Sequence, residues 1–205
     1  MAAFQHQSNG NVISPKITLY TNHVCPWAHR AHIALKELGL PYEEVIIDLD
    51  TPREAWYLKI NPVRSKVSTD AQSVERIGRI LTWLQRGLVP SIKISNGILE
   101  DEIITESAVV TQFLCDLKPS HLLPGSLESP TAPLTRARVN FFVDTYSTKI
   151  APFMYTVINM DTMKEKEAKT KEWSDAIEKE LEPLLKDADP FFGGSKELTL
   201  AEVCL

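Results

Sequence analysis

Of the nucleophiles in this 205-residue chain, the cysteines are the strongest, and there are three of them: Cys25, Cys115 and Cys204. Only Cys25 stands where a thiol would be activated. It follows a short β-branched and aromatic run at 16–20 (KITLY) and is followed by Pro26, a residue suited to the first turn of a helix. A strand would therefore deliver Cys25 to a helix N-terminus, where unpaired N–H groups and the helix dipole favour the anion. The thiolate, not the thiol, is the nucleophile. Three residues on stands Ala28, so there is no C-x-x-C pair. The site is monothiol and needs an external thiol to resolve any disulfide it forms. The bland alternative is a capping or buried cysteine with no role; the strand-to-helix position argues against it.

Two further features weigh little alone but fall in the order one site needs. Glu106-Ser107 opens a second helix. Free N–H groups at a helix start bind carboxylates, the serine adds a hydroxyl, and the glutamate could pair with an ammonium. Together they suit an α-amino-acid end, although standing alone they would be only a capping pattern. Val89-Pro90, between a loop and a strand, invites a cis peptide, beside which an extended peptide could pair with the Val89 backbone. His23, His29 and His32 cluster near Cys25, but their spacing is no standard zinc pattern, so no metal is expected and His29 and His32 read as surface residues. Cys115, among Phe113 and Leu114, reads as core.

The elements that must position these residues follow from the pattern. After the strand at 16–20 comes a helix at 28–38 closed by Gly39, a second strand at 40–47, and a short helix from 51 to about 60 stopped by Asn61-Pro62. Asn96-Gly97 between apolar runs signals a hairpin, and 105–117 is an amphipathic helix. The order βαβ, α, ββα is that of a four-stranded mixed sheet of the thioredoxin type, an α/β domain over 1–118. Residues 119–128 lie in a stretch with four prolines between 118 and 133 and read as a linker. Beyond it, 129–205 is only helical, with long helices at 134–158 and 164–185, so an all-α second domain is expected. The charged run 164–172 reads as a solvated helix face.

Composition narrows the classes. A net charge of −5 gives no footprint for nucleic acid, and no run of about 18 apolar residues is present to span a membrane. Few, scattered cysteines in an odd number exclude a secreted disulfide framework, and the polar first 14 residues are no signal peptide. A reducing, cytoplasmic setting fits.

The runs Leu19-Tyr-Thr-Asn-His-Val-Cys-Pro-Trp-Ala-His-Arg30, Asn61-Pro62, Gly87-Leu-Val-Pro-Ser91 and Leu99-Glu-Asp-Glu-Ile-Ile-Thr-Glu-Ser107 resemble those of cytosolic glutathione transferases. The Cys-Pro-aromatic start looks most like the omega class and its fungal relatives. The resemblance is close over 16–118 and loose beyond. It implies that Cys25 faces the sulfur of glutathione, the co-substrate. It also implies that Val89 pairs with the cysteinyl backbone beside cis-Pro90, and that Glu106 and Ser107 hold the γ-glutamyl end. By the same resemblance Arg53 or Lys59 reaches the glycyl carboxylate and Trp27 lines the site. The implied activity is thiol transfer or glutathione-dependent reduction of a small electrophile or disulfide, as in detoxification, since a cysteine can form a mixed disulfide with glutathione. The alternatives are a conjugating enzyme of a fungal secondary-metabolite pathway and a non-catalytic glutathione-binding regulator. Transferases of this kind usually pair through both domains, which leaves a homodimer open.

Two departures stand out. Residues 63–85 separate Asn61-Pro62 from Arg86-Gly87-Leu88-Val89-Pro90, which the family joins almost directly. One reading is an insertion forming an amphipathic helix through Val74, Ile77, Leu81 and Leu84; the preferred one is a retained intron translated in frame, which a cDNA carrying only the long form would rule out. Second, Thr199-Leu-Ala-Glu202 is a capping box that announces a helix, and the sequence given stops at Leu205. On that reading the second domain is truncated, several large side chains worth about 1.5–3 kcal/mol each go unburied, and marginal solubility is expected.

Overall fold

The computed structural model describes residues 14–61 and 87–205; the leader and the 63–85 segment lie outside the described residues. The sheet consists of β1 (Lys16–Thr21), β2 (Glu43–Ile46), β3 (Ser91–Ser95) and β4 (Glu102–Thr105), in the order β2-β1-β3-β4. β1 and β2 are parallel, while β3 runs antiparallel to β1 and β4 to β3. The parallel pair needs a crossover, and α1 (Pro26–Glu37) supplies it. α2 (Ala55–Ile60) and α3 (Ser107–Leu117) complete the thioredoxin-like unit. β1 lies inside the sheet, and five of its six residues are buried.

α1 starts at Pro26, whose missing N–H costs nothing at a helix start. It ends before Gly39, which takes φ 58 and so escapes the steric cost a side chain would meet there. Ala28, Ala31, Ala34 and Leu35 form its buried stripe.

The hairpin departs from the two-residue turn that Asn96-Gly97 suggests. β4 begins only at Glu102, because side chains take over the turning of the chain. Asn96 Oδ1 accepts the N–H groups of Ile98 (3.1 Å) and Leu99 (2.8 Å), and Ser95 Oγ accepts that of Asp101 at 3.0 Å. Ile98, the first residue of the apolar run after Asn96-Gly97, is left 90% exposed.

The rest is helical: α4 (Ala132–Thr145), α5 (Ala151–Ile158), α6 (Met163–Ala176) and the short α7 (Leu200–Val203). The long helix expected at 134–158 is broken by a π turn at Tyr146–Ile150. Pro152 follows that turn in the first turn of α5, where its missing N–H is tolerated. The second long helix likewise passes from α6 into a π turn at Ile177–Leu181. α6 starts at a Thr162–Glu165 capping box and buries no residue, which fits its charged run. The Thr199–Glu202 capping box also forms.

One apolar cluster runs from the sheet through α1 and α3 into α4 and α7, joining Leu19, Ile92 and Leu114 to Phe142, Leu200 and Val203. The segment read as a linker carries two of its most buried side chains, Leu122 and Leu123 at 1% and 0% exposure. The Leu122 carbonyl accepts the Leu200 N–H at 2.8 Å, so this connection is anchored at both its side chains and its backbone.

Candidate active site

Cys25 occupies the N-cap of α1 in an extended conformation (φ −88, ψ 115), half-buried, and no side chain caps the helix. Its carbonyl accepts the N–H groups of Ala28 and His29, which fixes the first turn behind the thiol. Its Sγ lies 3.9 Å from the carbonyl oxygen of Val89. The Val89–Pro90 bond is cis, as the sequence suggested.

The turn that presents Val89 is held from one side by α2. Tyr57, 1% exposed, donates its hydroxyl to the Leu88 carbonyl at 2.6 Å, and Asn61 Nδ2 donates to the same oxygen at 2.7 Å. Asn61 Nδ2 also reaches Ser91 Oγ at 3.1 Å. Asn61 thus does more than stop a helix: it ties α2 to the start of β3. Arg53 commits its guanidinium to backbone, donating to the carbonyls of Gly87 (3.1 Å), Thr51 (2.8 Å) and Asp48. In this position it clamps the β2–α2 loop to the Val89 turn. Lys59 is exposed on α2, outside this set of contacts.

On the other side stands Ser107, the first residue of α3. Glu106 precedes it at φ 72, exposed, with no side-chain hydrogen bond capping the helix. Ser107 Oγ accepts from Arg30 Nη1 at 3.1 Å, and Arg30 Nη2 donates to the Cys204 carbonyl. The Arg30 guanidinium also lies 4.3 Å over the Trp27 ring. Arg30 is only 4% exposed, and burial pushes its pKa down, partly offset by Cys204, Tyr146 and Tyr155. Sequence reading missed this residue. Its signal was an arginine one turn from Trp27 and one turn before Ala34, inside a stripe of alanines where a solvated charge does not belong.

Trp27 Nε1 donates to the Tyr155 hydroxyl at 2.5 Å, and the two rings stack with centroids 6.5 Å apart. The entrance of α1 is thereby joined to α5. The structure therefore brings Cys25 to Val89, Ser107 to Arg30, and Trp27 to both Arg30 and the helical region.

The other thiols are placed differently. Burial pushes Cys115 up to about 12, with Cys204 and Asp116 acting in the same direction. Cys204 is also pushed up by burial, partly offset by its contact with the Thr111 hydroxyl. Both are core thiols. His29 is exposed as expected, but His32 is not a surface residue: its side chain is 13% exposed and its Nε2 lies 2.8 Å from Thr21 Oγ1. No helix among the described residues is long and apolar enough to cross a membrane.

Comparison with known proteins agrees with this architecture. Residues 24–117 match the family model for the glutathione S-transferase N-terminal domain. Over 185 residues the chain is 25% identical to mouse (Mus musculus) glutathione S-transferase omega-1, covering 90% of this chain and 62% of that protein. The chain thus spans less than two thirds of the length of that relative. Among solved structures, glutathione transferase Omega 2C from Trametes versicolor superposes with a TM-score of 0.61 at 27% identity, covering 93% of this chain and 68% of that one. Omega 3C from the same fungus gives 0.66 at 21% identity, with 92% and 66% covered. Rice GST1, solved in complex with glutathione, gives 0.70 at 22% identity, with 94% and 72% covered.

Proposed function

We propose that this chain, whose residues 24–117 match the glutathione S-transferase N-terminal domain and which resembles omega-class relatives in sequence and fold, is a cysteine-dependent glutathione thiol transferase. One observation carries the reading: the half-buried Cys25 thiol at the uncapped start of α1, 3.9 Å from the carbonyl beside the cis Val89–Pro90 bond. In that frame a glutathione strand pairs with the Val89 backbone, and its γ-glutamyl carboxylate meets the Ser107 hydroxyl and the α3 N-terminus. Glu106 then lies beside the ammonium, Trp27 forms a wall, and Arg53 shapes the turn. Lys59 is left as a candidate for the glycyl end.

The chemistry runs in two exchanges. The Cys25 thiolate attacks the glutathione-side sulfur of a mixed disulfide; the S–S bond breaks, Cys25–S–S–glutathione forms, and the other thiolate leaves to take a proton from solvent. A second glutathione, as thiolate, then attacks its counterpart on Cys25, releasing oxidised glutathione and restoring the cysteine. A cytoplasmic, reducing setting keeps this cycle supplied. Small disulfides and electrophiles are the substrate class.

Glutathione-dependent reduction of hydroxyethyl disulfide tests the reading: Cys25→Ser abolishes it, and the intact mass of the wild-type chain treated with oxidised glutathione shows one adduct reversible by dithiothreitol. Reduction that survives Cys25→Ser would sink it. Conjugation of an aromatic halide surviving that change would point instead to a conjugating enzyme.

A further inference from the structure

The loop before Cys25 gathers a second set of side chains that thiol chemistry does not use. His23 in the β1–α1 loop, His32 on α1 and Glu44 on β2 each present one donor atom, and all three atoms lie within 4.8 Å of one another. His23 Nε2 is 2.8 Å from Glu44 Oε2, and His32 Nδ1 is 3.6 Å from Glu44 Oε1. The two rings stand edge to face at 5.4 Å.

The surroundings orient the donors. Thr21 is fully buried, and its Oγ1 lies 2.8 Å from His32 Nε2. With the ring proton on Nε2 and donated to Thr21, the Nδ1 lone pair turns toward Glu44. Its contacts there are long for hydrogen bonds, 3.3 Å to the Tyr42 hydroxyl and 3.6 Å to the carboxylate, so the lone pair is poorly satisfied by protein alone. His29 Nε2 meets the His23 carbonyl at 2.7 Å and steadies the loop that carries His23.

An exposed His–Glu ion pair explains only half of this. It accounts for His23 and Glu44, and it leaves His32, whose Nδ1 faces the same carboxylate at 3.6 Å, without a short partner there. Two imidazoles and a carboxylate with outer hydrogen bonds are the donor set of a borderline divalent cation. We propose that His23, His32 and Glu44 form a binding site for a divalent cation of the zinc type, with a fourth position open to water. Bonds of about 2.0–2.2 Å require the donors to draw together; His23, whose side chain is 65% exposed, has room to rotate inward. The site would pin the β1–α1 loop to α1 and β2, two residues ahead of Cys25. Its third ligand comes from a strand, which is why no local spacing announced it.

The test uses the full chain carrying Cys25→Ser, which removes the nearby thiol as a ligand. Titration with Co2+, followed by its visible absorption and then by displacement with Zn2+, is expected to show one site in this parent. His23→Ala and Glu44→Gln are expected to lose it, and Thr21→Val, which removes the outer hydrogen bond, to weaken it about 10–100-fold. His121→Ala, which breaks the remote His121–Glu37 pair, leaves it unchanged. His23 is on an exposed loop, and far-UV circular dichroism confirms that its variant is folded. No uptake by the parent, or Zn2+ affinity equal in the parent and in His23→Ala or Glu44→Gln, overturns the proposal.

Discussion

Three cysteines share one chain but not one chemistry, and burial separates them. Cys115 and Cys204 are held as neutral thiols inside the core, Cys115 at about 12. Because burial raises both folded values, the stability they contribute as thiols is full below the ordinary value of 9.0 and is lost as pH rises through those folded values, about 12 for Cys115. At pH 8 the native chain is expected to react with Ellman's reagent at Cys25 alone, and at all three cysteines in denaturant; a second fast thiol in the native chain would contradict the placement. Arg30 gives the other prediction at this scale. Arg30→Ala leaves the Ser107 hydroxyl and the Cys204 carbonyl without their donor, at a cost of about 1–3 kcal/mol read from the urea midpoint. Arg30→Lys is expected to recover only part of this, since an ammonium does not reproduce the planar fork that serves both acceptors and stacks on Trp27. Cys25 was legible in the sequence because its meaning depends on neighbours along the chain. Arg30 was not, because its partners lie 77 and 174 residues away.

At the scale of elements, the turn from Gly87 to Ser91 is the part with least freedom. A Cβ on Gly87 would stand 3.1 Å from the Asn61 carbonyl and 3.1 Å from Tyr57 Cε1. Neither yields easily: one is backbone, and the other is a buried ring whose hydroxyl is tied to Leu88. Gly87→Ala is therefore expected to cost about 1–3 kcal/mol in a denaturant melt and to shift the Val89 carbonyl relative to Cys25. If the proposed function holds, hydroxyethyl-disulfide reduction falls with it, whereas Gly125→Ala, with its nearest neighbours at 3.6 Å, leaves both unchanged. Strand and helix types were readable because period and caps are local: β1, α1, α3 and the Thr199–Glu202 capping box stand where expected. What was misread depends on competition between local signals. Asn96-Gly97 promised a tight hairpin, but the Asn96 and Ser95 side chains captured backbone N–H groups and lengthened the loop. The π turn before α5 is equally hidden, since the helical pattern continues through it.

Over the whole molecule, the prolines between 118 and 133 suggested a linker between two domains, a seam that packing ties on both sides. Leu122 and Leu123 are buried in the same cluster as Leu19 and Ile92 of the sheet and Phe142 of α4. Arg30 and Trp27 add polar and aromatic ties from α1 to Cys204 and Tyr155. A core shared in this way couples the sheet to the helices, so neither can lose its packing without exposing the other's apolar surface. Phe142, 1% exposed and 4.9 Å from the Phe192 ring, lies on the helical side of that core. Phe142→Ala is expected to cost about 3–5 kcal/mol, a large share of the roughly 5–15 kcal/mol typical of a folded domain. The loss is expected in one transition, with sheet and helices failing together. Urea unfolding followed by tryptophan emission, to which Trp27 and Trp56 in the sheet half and Trp173 in α6 contribute alongside Trp83, and by far-UV circular dichroism would then give coincident curves in both wild type and variant. Two separated transitions, with only the helical signal moved by Phe142→Ala, would show that the seam is real after all.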